Sequence, residues 1–96
     1  MNNINELSTK GSDDIFIDED GKPWRKLSSK DYVVIGKDEI LTGTATLLFS
    51  YDHNCYRYAD IECGIEAGED EDETTAKILF EEYLEIHMEG KIYWAR

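Results

Sequence analysis

The stretch TGTATLLFSY (42–51), DHN (52–54) and CYRYADIECGI (55–65) decides the fold. In the first run every second residue, Gly43, Ala45, Leu47, Phe49 and Tyr51, belongs to one apolar set. In the last run Cys55, Ala59, Ile61, Cys63 and Ile65 form another, interrupted only by Arg57. Successive side chains of a strand point to opposite faces, so this alternation predicts two half-buried strands joined by a polar turn. A three-residue loop at 52–54 pairs odd with odd. It sets Tyr51 opposite Cys55, Phe49 opposite Arg57, Leu47 opposite Ala59 and Ala45 opposite Ile61. A two- or four-residue loop pairs odd with even and turns one apolar set into water. The expectation is therefore the three-residue loop, with Asn54 in its left-handed position.

On that register both cysteines point inward. The even-numbered face, with Leu48 beside Tyr56, Tyr58, Asp60 and Glu62, points outward unless a second layer covers it. Tyr56 and Tyr58 then become candidate contact residues, because tyrosine offers rigid area with a polar handle.

Toward the N-terminus, Ile15-Phe16-Ile17 leads into a turn at Asp18-Glu19-Asp20-Gly21. Lys22 to Leu27 follows as a returning strand, placed at a sheet edge because Pro23 cannot donate to a ladder. Tyr32 to Ile35 is a third candidate strand. Residues 1–13 are polar and read as a flexible arm. Beyond Gly68 the period changes. Ala76, Leu79, Phe80, Tyr83, Leu84 and His87 recur at about 100° per residue, with Ile86 at the margin, which predicts a helix over 71–89. Asp70 and Glu73 suit a capping box, Gly90 suits the C′ position, and Lys91 to Trp94 supplies a closing strand. The expected fold is α+β: a mainly antiparallel sheet of about four to six strands, one C-terminal helix packed on it, then a short strand. Ninety-six residues leave room for one core, so 14–96 is read as a single domain.

The charge is the strongest compositional signal. Twenty-two acids against ten Lys and Arg give a formal net charge of −12. A chain so acidic is a poor ligand for phosphates, which excludes direct binding of nucleic acid or an anionic membrane. A basic protein is its natural complement. Two cysteines are too few for a disulfide scaffold, Met1 to Lys10 has no apolar signal core, and the longest strongly apolar run is Leu47 to Phe49. A cytoplasmic location is expected, that of a host cell if the chain is phage-encoded.

The catalytic and metal patterns fail on spacing. Asp18 to Gly21 resembles part of a calcium loop, but Phe16 and Leu27 fall where carboxylate ligands are required. His53, Cys55, Cys63 and His87 lack the close pairing of a zinc site, and nothing sets a histidine against either sulfur. His87, central on the apolar stripe, reads as a core or boundary residue. No phosphate loop, G-x-S-x-G or H-E-x-x-H occurs. No catalytic residue, metal or cofactor is expected, and the chain is read as a non-enzyme.

Charge placement remains. Residues 66–89 hold ten acids and one lysine, Lys77. Glu69, Asp70, Glu71, Asp72 and Glu73 crowd the helix start, where the dipole favours them. Glu81, Glu85 and Glu89 fall on an i, i+4 row, with Glu82 beside it. Like charges at that spacing destabilise a helix, and Glu89 also opposes the dipole. These nine acids are the candidate partner-binding ridge; a solvated face kept acidic for solubility is the plain alternative. In size and charge the chain resembles phage-encoded nucleic-acid mimics of the antirestriction and anti-CRISPR kind, a likeness of composition that assigns no residue roles. The expected function is inhibition of a basic nucleic-acid-handling partner. An immunity protein or antitoxin blocking a basic toxin is the second reading, and an accessory or structural subunit the third.

Overall fold

A computed structural model describes residues 14–95; the arm expected over 1–13 lies outside the described residues. The chain forms β1 (Ile15–Ile17), β2 (Pro23–Ile35), β3 (Ile40–Ser50), β4 (Cys55–Asp60), β5 (Ile65–Asp70), α1 (Glu73–Met88) and β6 (Lys91–Trp94). The strands make one antiparallel, curled sheet in the order β1-β2-β3-β4-β5, with β6 bonded to β2. This is the α+β architecture that the alternation and the helical stripe predict. Among the described residues no helix is long and apolar enough to cross a membrane.

The returning edge strand expected over 22–27 and the third strand expected over 32–35 are one strand of 13 residues, and it is not at an edge. β3 lines one side of β2, while β1 pairs with its start and β6 with its end on the other. Pro23 fits because it is the first residue, opposite Ile17, before the ladder to β3 begins at Arg25. A bulge at Leu27 switches the pleat. Trp24 therefore packs with Leu48 on one face of the sheet, and Tyr32 and Val34 pack with Ala45 on the other.

The β3–β4 register differs from the expected one. Ser50 lies opposite Cys55, Phe49 opposite Tyr56, Leu48 opposite Arg57, Leu47 opposite Tyr58 and Thr46 opposite Ala59. The loop has four residues, Tyr51 to Asn54, with Asn54 left-handed at φ 51° as expected. The three-residue loop followed from assuming that one sheet face lies in water. That premise fails here, because Leu47 and Leu48 are 5% and 0% exposed. With both faces covered, pairing odd with even wastes neither set. β4 ends at Asp60, so Ile61 and Cys63 fall in the β4–β5 turn instead of on an inner face, and Cys63 is exposed.

Two cores result. Under α1 lie Tyr32, Val34, Ala45, Phe80 and Leu84, with Tyr58 and Trp94 against them. The rings of Tyr32, Tyr58 and Trp94 surround Phe80 at 5.7, 6.1 and 6.2 Å between centroids. On the opposite face lie Trp24, Leu48, Cys55 and Ala59, with Phe16 packed on them.

α1 starts at Asp72, whose carboxylate accepts from Thr75 N at 2.9 Å; Asp70 instead accepts from Asp72 N at 2.8 Å. The capping role is thus two residues later than the expected box. At the other end Glu89, not Gly90, takes the left-handed position, φ 54°. Gly90 serves close approach: a Cβ there would strike the carbonyl of Ile35. Gly68 acts likewise, at φ +95° in the irregular β4–β5 pairing, where a Cβ would strike the backbone of Ala76 and Phe80. That contact sets which side of the helix meets the sheet. The buried row is Ala76, Phe80 and Leu84, while Leu79, Tyr83 and His87, expected inside, are exposed.

The Asp60 carboxylate is fully buried. Asp60 accepts from Tyr32 OH at 2.6 Å and from Cys63 N at 3.1 Å. The Tyr32 phenol is pushed far above its ordinary value of 10, by burial first and then by its bond to Asp60. Above that pH the unfolded chain releases the proton while the folded chain keeps it. The contribution to stability is complete below pH 10 and is lost as pH rises beyond it. Tyr32→Phe should flatten the alkaline fall of the urea midpoint; an identical fall in both proteins would contradict this assignment.

Candidate docking surfaces

A concavity of about 540 Å3 opens between the β1–β2 turn, the end of β5 and the His53 loop. Asp18 and Asp20 stand on one wall and Glu69, Asp70 and Glu71 on the other. Asp18 holds its turn together. Its two oxygens accept from Asp20 N and Lys22 N at 2.9 Å and from Trp24 Nε1 at 3.0 Å. The Trp24 bond, then the Lys22 amide, hold its carboxyl below the usual range, so it stays ionised.

Arg57 forms the floor of this concavity. Its guanidinium lies 4.1 Å from the Trp24 ring centre and binds Glu66 at 2.7 Å and Glu69 at 2.5 Å. These are the ion pairs found among the described residues, so Arg57 pairs directly with two of the acids around the concavity. Tyr56 pairs with Asp70 and sits half-buried beside Phe49, their rings 5.0 Å apart. Tyr58, expected outward, faces α1, a consequence of the register. Neither tyrosine forms the free face that the sequence suggested.

The cysteines lie in separate places. The Cys55 thiol is buried 3.7 Å from a Glu69 oxygen; burial, then the Glu69 charge, pushes it up. Hydrogen bonding to Asp60 is the main cause that raises Cys63. Both thiols are therefore protonated near neutral pH and poorly nucleophilic. A thiol reagent should modify Cys63 alone in the folded protein, slowly and faster as pH rises, and reach Cys55 only on unfolding. Rapid reaction of both at neutral pH would contradict this. Among the described residues no group of three or more His, Cys, Asp or Glu could hold a metal ion.

The expected ridge on α1 is divided by the rotation of the helix. Glu81 accepts from Trp94 Nε1 at 2.6 Å and Glu85 from Ile92 N at 3.1 Å. Both tie the helix to β6, so their structural use removes them from a free row. Asp72 is the N-cap and Glu73 stands in the first turn. Glu82 and Glu89 remain exposed, and they share the outer face with Ile78, Leu79, Tyr83 and Ile86. These apolar side chains are 46%, 39%, 48% and 77% exposed. His87 stacks on Tyr83 at 5.9 Å between ring centres.

The sequence reading weighed Asp18 and Asp20 only as a turn and a calcium loop, and set Leu79 and Tyr83 on the inward stripe with Ile86 at its margin. Ile78 and Ile86 were the available signal: neither fits the centre of an inward stripe, and both are large. No protein-family model, curated protein or solved structure matches this chain.

Proposed function

We propose that this chain is an acidic interaction protein that occupies a basic, nucleic-acid-handling partner and presents carboxylates where phosphates would sit. The observation that carries this reading is the lack of internal compensation. Ten bases face 22 acids, and the ion pairs among the described residues use Arg57 alone. Glu71, Glu82 and Glu89 are exposed, and their carboxylates accept no hydrogen bond among the described residues. Such a field speeds encounter with a positive surface and repels nucleic acid itself.

The test is capture by the immobilised protein from a lysate of the cell in which it is made. The captured protein should be basic and bind nucleic acid, and its affinity should fall steeply between about 50 and 200 mM salt. A captured partner with no basic surface, or one held equally at both salt concentrations, would overturn the reading.

A further inference from the structure

We infer that the outer face of α1 is the docking site for a partner surface that has an apolar centre flanked by Lys or Arg. This rests on the reading of the chain as an acidic binder, and it names the surface and the chemistry that fits it. The packed row of α1 is Ala76, Phe80 and Leu84, so Ile78, Leu79, Tyr83 and Ile86 project from other sides of the helix. Leu79, Tyr83 and Ile86, at i, i+4 and i+7, form a strip, with Ile78 on the far side of Glu82; such a set exceeds scattered exposure and is the usual mark of a protein contact. Helical spacing sets Glu82 beside Ile78, Leu79 and Ile86, and Glu89 one turn beyond Ile86. No lysine lies in that strip: Lys77, half-buried, reaches toward the Trp94 ring, 5.1 Å away.

Charge decides between occupants. A second copy would bring another chain of net −12 and set its Glu82 and Glu89 against the same carboxylates. Residues 1–14 carry three acids and one lysine, a charge of the wrong sign to complement Glu82 and Glu89. A surface with cations around an apolar centre satisfies both parts of the strip. Its apolar part would cover Ile86 and Tyr83, and its cations would reach Glu82 and Glu89. Tyrosine at the centre of such a contact is a common energetic anchor.

The test uses two synthetic probes: an amphipathic helix with leucines along one side and lysines on both flanks, and an oligolysine of equal charge. The first should shift the amide resonances of Leu79, Glu82, Tyr83 and Ile86 and bind with one-to-one stoichiometry. Ile86→Ser should weaken it by about 10-fold or more, because a largely exposed isoleucine would lose its burial on binding. The same change should leave oligolysine affinity and thermal unfolding unaltered. A footprint confined to the Asp18–Glu71 concavity or to the sheet would overturn the inference. So would unchanged affinity in Ile86→Ser, or a dimer in sedimentation that Ile86→Ser dissolves. A partner that handles no nucleic acid would sink the broader reading alone, since neither probe depends on that role.

Discussion

Phe80→Ala should cost about 3–5 kcal/mol in urea unfolding, the usual range for emptying a buried aromatic site. Phe80 is fully buried, and the rings of Tyr32, Tyr58 and Trp94 converge on it from three different strands. Its removal leaves a cavity where β2, β4, β6 and α1 meet, and rigid rings cannot collapse into the space. Tyr83→Ala, three residues on, is the internal control. At 48% exposed, Tyr83 should lose less than about 1 kcal/mol. Equal losses at the two sites would mean that the helix is turned differently about its axis.

Reversing Glu82 and Glu89 together to Lys should weaken partner binding by about 100-fold or more at low salt, since like charges brought into contact cost several kcal/mol. The fold should survive, because both side chains are exposed and Lys has nearly the helix propensity of Glu. Gln at the same two positions should weaken binding less, removing attraction without adding repulsion. Glu81→Gln and Glu85→Gln should behave in the opposite way. Their carboxylates hold Trp94 and the Ile92 amide, so the change should lower stability and leave affinity nearly intact. Thermal melts beside binding isotherms for the four variants separate these outcomes. Wild-type affinity in a folded Glu82→Lys/Glu89→Lys protein would remove this face from the docking surface.

The α+β class, with one C-terminal helix and a short closing strand, was legible in the sequence because period-two runs, turn residues and a helical stripe each carry a local signal; β5 was not, since its residues read as the end of one strand over 55–65 and the approach to the helix. The β1–β2 turn at Asp18 to Gly21, the left-handed Asn54 and the closing β6 strand follow from such signals. What was not legible depends on neighbours distant in sequence. The β3–β4 register turns on whether Leu48 is covered, and Trp24 covers it from a strand more than twenty residues earlier. The face of α1 that packs was ambiguous because Ile78, Leu79, Tyr83 and Ile86 spread apolar character around the helix. Gly68, which lets the backbone of Ala76 and Phe80 approach β5, settled it. The candidate site inherits both errors: Glu81 and Glu85 move inward with the helix rotation, and Tyr58 moves inward with the register.

Displacement of bound nucleic acid separates mimicry from attachment elsewhere on the partner. The captured partner is loaded with a fluorescent duplex oligonucleotide and titrated with the acidic protein while anisotropy is followed. Stoichiometric release of the duplex is expected, lost with Glu82→Lys/Glu89→Lys and weakened by added salt. A ternary complex in which the duplex stays bound at saturating protein would contradict it.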